Sequence, residues 1–576
     1  MEVTQFKDHT CTTEVGASTL RPGGVESKRN QTFAPHAFSA PALAPAVKPF
    51  VLRDPKVRPQ ALCPEVQKYV YVQPNGPFLN KIKRALLGGE LLPVDKDAAQ
   101  AEAYSAELTE RGDFCMIRTI TGAAMKQVEI NDRRLDHELA VRCLKKGKQA
   151  DAAAAAAAPP FDPDGEDVSH IKDSDTYISG WSYQSAADRE VLVRLMKGAG
   201  SLLVEQDACH MEDGSGGGYL YRSFVKDPNK QALPVLQSWD IRNESTLSWN
   251  DHQDALIDCY GTALNFNSDN VCFLSDQQKG LLGSHSDKFP MAGSATCFKH
   301  LEGEAFSIAG SAGVAAFTKV AFATDIQQLA SAKESAPDKI KTWLAKKPES
   351  AFTKVHGHKA KRDCMASSTV EAMNGADSSA YRGTAIRSHR PGKALQEMVL
   401  HSVRRHDARA AQARACSPDL KITPGMASFL QERKQGTLKI MKQHVIKFTN
   451  STRTKATIKH GTPAVMRSVD IGAKPRCECG VFALENIPCG CMLIVCEEAG
   501  QDPVSLLQRR DTAAFWKSLY EDLPSTSIPG SEFLDASKST MLAAPTAPKP
   551  PGRPSKSRIK SAIDNLKHSI KHSGNP

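Results

Sequence analysis

The apolar positions of the chain cluster into short runs with distinct periods. SLLVEQD (201–207) reads as a short buried strand ending in an acid, and NVCFLSD (270–276) repeats that arrangement. YLYRSFV and ALPVLQSWDI read as two further strands separated by turn residues. SAADREVLVRLMKG, STLSWNDHQDALIDCYGTAL and QQKGLLGSHSDKF carry helical patterns, as do the Ala- and Lys-rich residues 310–360 and the stretch 369–415 with SVRRHDARAAQARAC. These runs predict an α/β core over 176–440 with a helical insertion at about 310–360.

Upstream, NKIKRALLGG and DKDAAQAEAYSAELTERG predict short helices, the second stopping at Gly112, and DFCMIRTI predicts a strand. A small N-terminal α/β unit, accessory or DNA-binding, is expected over 61–148. Residues 149–175 read as a linker: seven consecutive alanines, then Pro159 and Pro160, which stop a helix, and then acids. HVIKFTN and AVMRSVDIG predict a hairpin leading into CECGVFALENIPCGC, within a unit spanning 441–522. Residues 1–60, rich in Pro, Ala and Ser, and residues 523–576 read as disordered.

A chain of 576 residues exceeds what one core supports. No apolar run reaches the roughly 18–20 residues of a membrane span, and the start, MEVTQFKDHT, lacks an apolar signal core. Fifteen cysteines, unevenly spaced outside 477–491, argue against a disulfide framework. These features predict a soluble chain in a reducing, intracellular compartment. The net charge is +10, and from Lys549 onward seven Lys/Arg stand against one acid, Asp564. Such a tail suits a polyanion, and equally a solvated end.

Asp207 and Asp276 each close a predicted strand, where chemistry collects in α/β sheets. Glu371, in SSTVEAMN, is a third candidate, with Glu334 and Glu349 as alternatives to it. Three carboxylates from separate elements can hold hard cations such as Mg²⁺ or Mn²⁺. Two such ions roughly 4 Å apart stabilise the attacking and leaving oxygens of a phosphodiester displacement. Each acid also has an ordinary reading: the Asp residues as helix caps, the Glu as a complement to a helix dipole.

Cys477-x-Cys479 and Cys489-x-Cys491 form a closed four-thiolate set. It suits structural Zn²⁺, because four ligands fill the tetrahedron and leave no position for catalysis. Four reduced, unliganded cysteines are the alternative, and Cys496 is a spare ligand. Cys297-x-x-His300 resembles half a zinc site, but no second pair is close in sequence. A structural or DNA-positioning role is expected for it.

The order of these blocks resembles Mutator-like transposases. LLVEQDACHM is similar to that family's first-aspartate strand. FLSDQQKGLLGSHSDKFPMAGSATCFKHL is similar to its second-aspartate block, with Ser275-Asp276, Lys279-Gly280-Leu281, Phe289-Pro290, Cys297 and His300. VKDPN and NESTLSW, with Trp249, stand where the family has its intervening strands and its Glu-to-Trp helix. STVEAMNGADSSAYR resembles the E-x-x-N helix carrying the third acid, and the cysteine set resembles a SWIM zinc finger with Cys491 in place of histidine. The resemblance covers roughly 176–500. It implies an RNase H-like core with a DDE triad of Asp207, Asp276 and Glu371, binding Mg²⁺ or Mn²⁺. The implied reaction is hydrolysis at transposon ends, then attack of the freed 3′-OH on target DNA.

Double-stranded DNA, a homo-oligomer on that DNA and a nuclear location follow from the same resemblance, with no membrane. Gly552-Arg553-Pro554, with Lys556, Arg558 and Lys560, resembles a partial AT-hook for the minor groove. KDHTCTTE, with His9 and Cys11, resembles the end of a zinc knuckle. Two other readings remain open: a transposase-derived DNA-binding transcriptional regulator without catalysis, and a SWIM-type zinc adaptor that binds protein.

Overall fold

The computed structural model describes residues 94–523, apart from short interruptions and a longer break at 135–161. The two expected disordered ends, the alanine run, His9, Cys11 and the basic residues Arg553, Lys556, Arg558 and Lys560 lie outside the described residues.

The protein is mixed α/β. Seven strands form one sheet: β1 (Phe114–Thr121), β2 (Thr176–Gln184), β3 (Leu202–His210), β4 (Tyr219–Lys226), β5 (Ala232–Asp240), β6 (Val271–Ser275) and β7 (Gly293–Thr296). Their spatial order is β1-β2-β5-β4-β3-β6-β7. β3, β4 and β5 form an antiparallel meander, whereas β6 and β7 lie parallel on the other side of β3. The expected strands are present with two corrections. β3 runs on to His210, so Asp207 lies within the strand and does not cap a helix. DFCMIRTI is not part of a separate N-terminal unit: as β1 it pairs with β2 and forms an edge of the main sheet.

Alternation along β3 divides its side chains between two faces. Leu202 and Val204 join a core with Leu236, Phe273 and Trp516, under helices Ala186–Ala199, Thr246–Tyr260 and Ala513–Leu519. Leu203 packs on the other face with Cys272, Leu274 and Cys364. The covering helices have local start signals. Ser185 caps one by accepting from the Asp188 amide, and Ser245 and Ser248 make a capping box on another. Trp181, Trp249 and Trp516 are fully buried, and their indole N–H groups donate to Pro391 O, Glu244 and Asp227. An indole buried without an acceptor would cost about 1–3 kcal/mol.

The helical insertion is larger than its expected 310–360. It starts directly after β7, with helix Phe298–Ala321, kinked at Ala309 and Gly310, and continues through Ile326–Glu334, Asp338–Leu344 and Glu349–Phe352. Phe317, Ile340 and Phe352 centre its own apolar core. Among the described residues, no helix is long and apolar enough to cross a membrane.

A second sheet has the order β11-β10-β9-β8, formed by β8 (His444–Phe448), β9 (Lys455–His460), β10 (Val465–Asp470) and β11 (Arg476–Cys477). The predicted hairpin is corrected here. HVIKFTN and AVMRSVDIG do not pair with each other, because each pairs with the intervening β9. That strand, KATIKH, is rich in Lys and His and its apolar signal is weak. Buried Glu485 pairs with Lys354, just after the last insertion helix, and with Arg433 on helix Pro424–Met441, and Arg362 adds a two-bonded pair with Asp511 at 2.9 and 3.0 Å.

Candidate functional site

β3 and β6 run parallel with Glu205 opposite Leu274. Continuing that register by two residues sets Asp207 level with Asp276, which directly follows β6. Both share the face of Leu203 and Leu274, away from the helix-covered core. Two parallel strands thus deliver two carboxylates side by side at their C-terminal ends.

The third acid arrives on helix Ser368–Ser378, which two side chains of β3 hold in place. Buried Glu205 accepts from the Thr369 amide and hydroxyl, both at 2.9 Å, and pairs with Lys226 at 3.3 Å. Asp207 accepts from Asn374 Nδ2 at 2.9 Å. Thr369 and Asn374 flank Glu371 on that helix. Ser367 Oγ donates to Glu371 Oε1 at 3.2 Å. The alternatives to Glu371 lie elsewhere: Glu349 pairs with Lys333 and His356 inside the insertion, and Glu334 is exposed.

The acids crowd one another electrostatically. Burial pushes the Asp207 carboxyl up to about 7, and the charges of Asp276 and Glu371 push the same way, against the pull of His300. A fourth acid takes part. Glu244, bonded to Trp249 Nε1 at 3.0 Å, is raised to about 7 by burial and by Asp276. The sequence alone assigns no role to Glu244, Asn374 or Glu205. A polar residue two places before Asp207 in an apolar strand was the available signal for Glu205.

Cys297 and His300 stand beside Glu371. The Cys297 sulfur and His300 Nδ1 each lie 3.8 Å from Glu371 Oε1. A hydrogen bond to Cys297, then the nearby Cys297, Asp276 and Glu371 charges, raise His300 to about 9 against the opposing effect of burial.

The four cysteines of 477–491 converge, with their sulfurs within 4.8 Å of one another, and can hold a metal ion. Cys477 ends β11, Gly480 turns the chain with φ 74°, and Cys489 and Cys491 open helix Gly490–Ala499. Hydrogen bonds from Cys477, Cys479 and Cys489, joined by one from Arg467, hold the Cys491 thiol far below its usual range. Arg467 Nη1 lies 3.6 Å from that sulfur, so a cation faces Cys491. Cys496 is buried in the adjoining apolar core, and burial pushes its thiol up to about 11.

Compared with known proteins, the chain matches no family model, and no curated protein matches it.

Proposed function

We propose that this protein is a DNA transposase of the DDE type, cutting phosphodiester bonds at transposon ends and joining the 3′-OH ends to target DNA. One observation carries the reading: Asp207, Asp276 and Glu371 come from three separate elements, and the charges of the latter two act on the first. The sheet supports an RNase H-like core, since an antiparallel meander followed by two parallel strands sets its first and fourth strands side by side, with one acid each.

The donor set fits a hard divalent cation, because its atoms are carboxylate oxygens whose mutual repulsion a cation relieves. Asp207, Asp276 and Glu371 would hold Mg²⁺ or Mn²⁺, which when bound polarises water and stabilises a leaving oxygen. Asn374 fixes the Asp207 carboxylate, and Ser367 fixes that of Glu371. Glu205 anchors the helix that carries the third acid. The cysteine set takes structural Zn²⁺ and organises the second sheet, and the basic tail adds phosphate contacts to double-stranded DNA.

The test is cation-dependent nicking of DNA carrying terminal inverted repeats, for wild type, Asp207→Ala, Asp276→Ala and Glu371→Ala. Loss in all three variants supports the triad. Equal nicking in the four proteins would sink the triad, and no nicking by wild type would leave a non-catalytic DNA-binding role.

A further inference from the structure

We infer that Cys297, His300 and Glu371 form a second transition-metal site, and that filling it withdraws Glu371 from the set at Asp207 and Asp276. Its consequence for DNA cleavage rests on the function proposed above; the binding itself does not.

The ligand atoms of these three residues lie within 4.8 Å of one another. Zinc–sulfur bonds of about 2.3 Å and zinc–nitrogen or –oxygen bonds of about 2.0–2.1 Å place tetrahedral ligands roughly 3.3–3.5 Å apart. The two separations of 3.8 Å therefore need to close by only a few tenths of an ångström. The sulfur–imidazole–carboxylate set favours zinc-type ions over magnesium.

The surroundings fix the ligands. The Ser367 amide lies 3.4 Å from the buried Cys297 sulfur and donates to it, which fixes the sulfur's position. Ser367 Oγ donates to the same Glu371 oxygen that faces the pair, so one residue orients two ligands. The Cys297 amide donates to Ser275 O at 2.6 Å, and that of Phe298 donates to Met365 O at 2.7 Å, which hold the start of the helix bearing His300. His300 is partly exposed, and three protein ligands leave a fourth position for water. Such a site is open to exchange, unlike the closed cysteine set. Glu371 Oε1 is the oxygen that faces Cys297, His300 and Ser367, so a metal held there engages that oxygen and competes with the aspartates for it.

The experiment uses the full chain with its four-cysteine set loaded with zinc, titrated with Co²⁺. One further equivalent is expected, with a thiolate-to-cobalt charge-transfer band. Cys297→Ser should remove the band, and His300→Ala, a change at a partly exposed side chain, should weaken binding by more than about tenfold. Asp207→Asn should leave the band in place. Zinc at this site should lower Mn²⁺ binding, read by electron paramagnetic resonance, in wild type and not in His300→Ala. The absence of a further band, or a band unchanged in both Cys297→Ser and His300→Ala, overturns the site. Mn²⁺ binding indifferent to zinc overturns the competition. A band with no Mg²⁺-dependent nicking leaves the site standing and removes the cleavage reading.

Discussion

The three carboxylates, cation ligands under the proposed function, and the cysteine cluster are assembled in opposite ways. The cysteines come from fifteen consecutive residues, Cys477 to Cys491, and a turn and a helix start bring them together. The acids come from β3, the end of β6 and a helix beyond a four-helix insertion. Soft ligands held by a local loop make a closed site that stabilises its own surroundings. Hard ligands forced together by a sheet repel one another, so the fold carries a cost where the acids meet that a bound cation would relieve. Under the proposed function the two sites therefore differ in the sign of what they contribute to stability.

The strongest test of this contrast sets activity against folding. Alanine at Asp207, Asp276 or Glu371 should lower cation-dependent nicking on the order of a thousandfold, since each tenfold corresponds to about 1.4 kcal/mol of lost stabilisation. The same variants should unfold at or above the wild-type temperature, because each removes like charge. Alanine at Cys477 or Cys491 should do the reverse. It should cost several kcal/mol, about 3–5, through loss of bound metal, and hydrogen exchange should locate the opening in the second sheet. Unchanged metal content in Cys491→Ala would remove that residue from the ligand set.

The next effect is pH dependence without divalent cations. Asp207 titrates at about 7 in the folded chain against an ordinary 3.8. The native state keeps a proton in that window that the unfolded chain has lost. Stability should therefore be full below the lower value and fall as pH rises through the upper one. Thermal melts should show this slope flattened in Asp207→Asn, and Mg²⁺ should raise the wild-type melting temperature more at about pH 8 than at about pH 5.

The smallest effect concerns Arg467. Arg467→Ala should weaken zinc binding by about tenfold, as loss of a partner to a metal ligand commonly does. With Cys491→His, which carries no extra charge, the same change should matter less. Equal effects in both backgrounds would show that Arg467 does not respond to the charge of Cys491.

Much of the fold was readable along the chain where patterns were strong. The helix Ala186–Ala199 is announced by its Ser185 cap and Gly200 stop, and helices fill the predicted insertion. The failures share one cause. β9 has little apolar signal of its own and is recruited by two neighbours, so the local pattern shows a hairpin where the fold has a three-strand meander. β1 looked like part of a separate unit because pairing with a strand about sixty residues away leaves no local mark.

The sequence by itself determined the local ligand set at 477–491, the strand and helix identities around each acid, and the identities of Asp207, Asp276 and Glu371 as candidates. Their periods and spacings are properties of short segments. Only the tertiary structure decided that Asp207 stands beside Asp276, that Glu205 and Asn374 hold the helix of Glu371 against them, that Glu244 comes near Asp276, and that Cys297 and His300 stand beside Glu371. Those relations depend on strand order and register, which are set by packing between segments far apart in the chain.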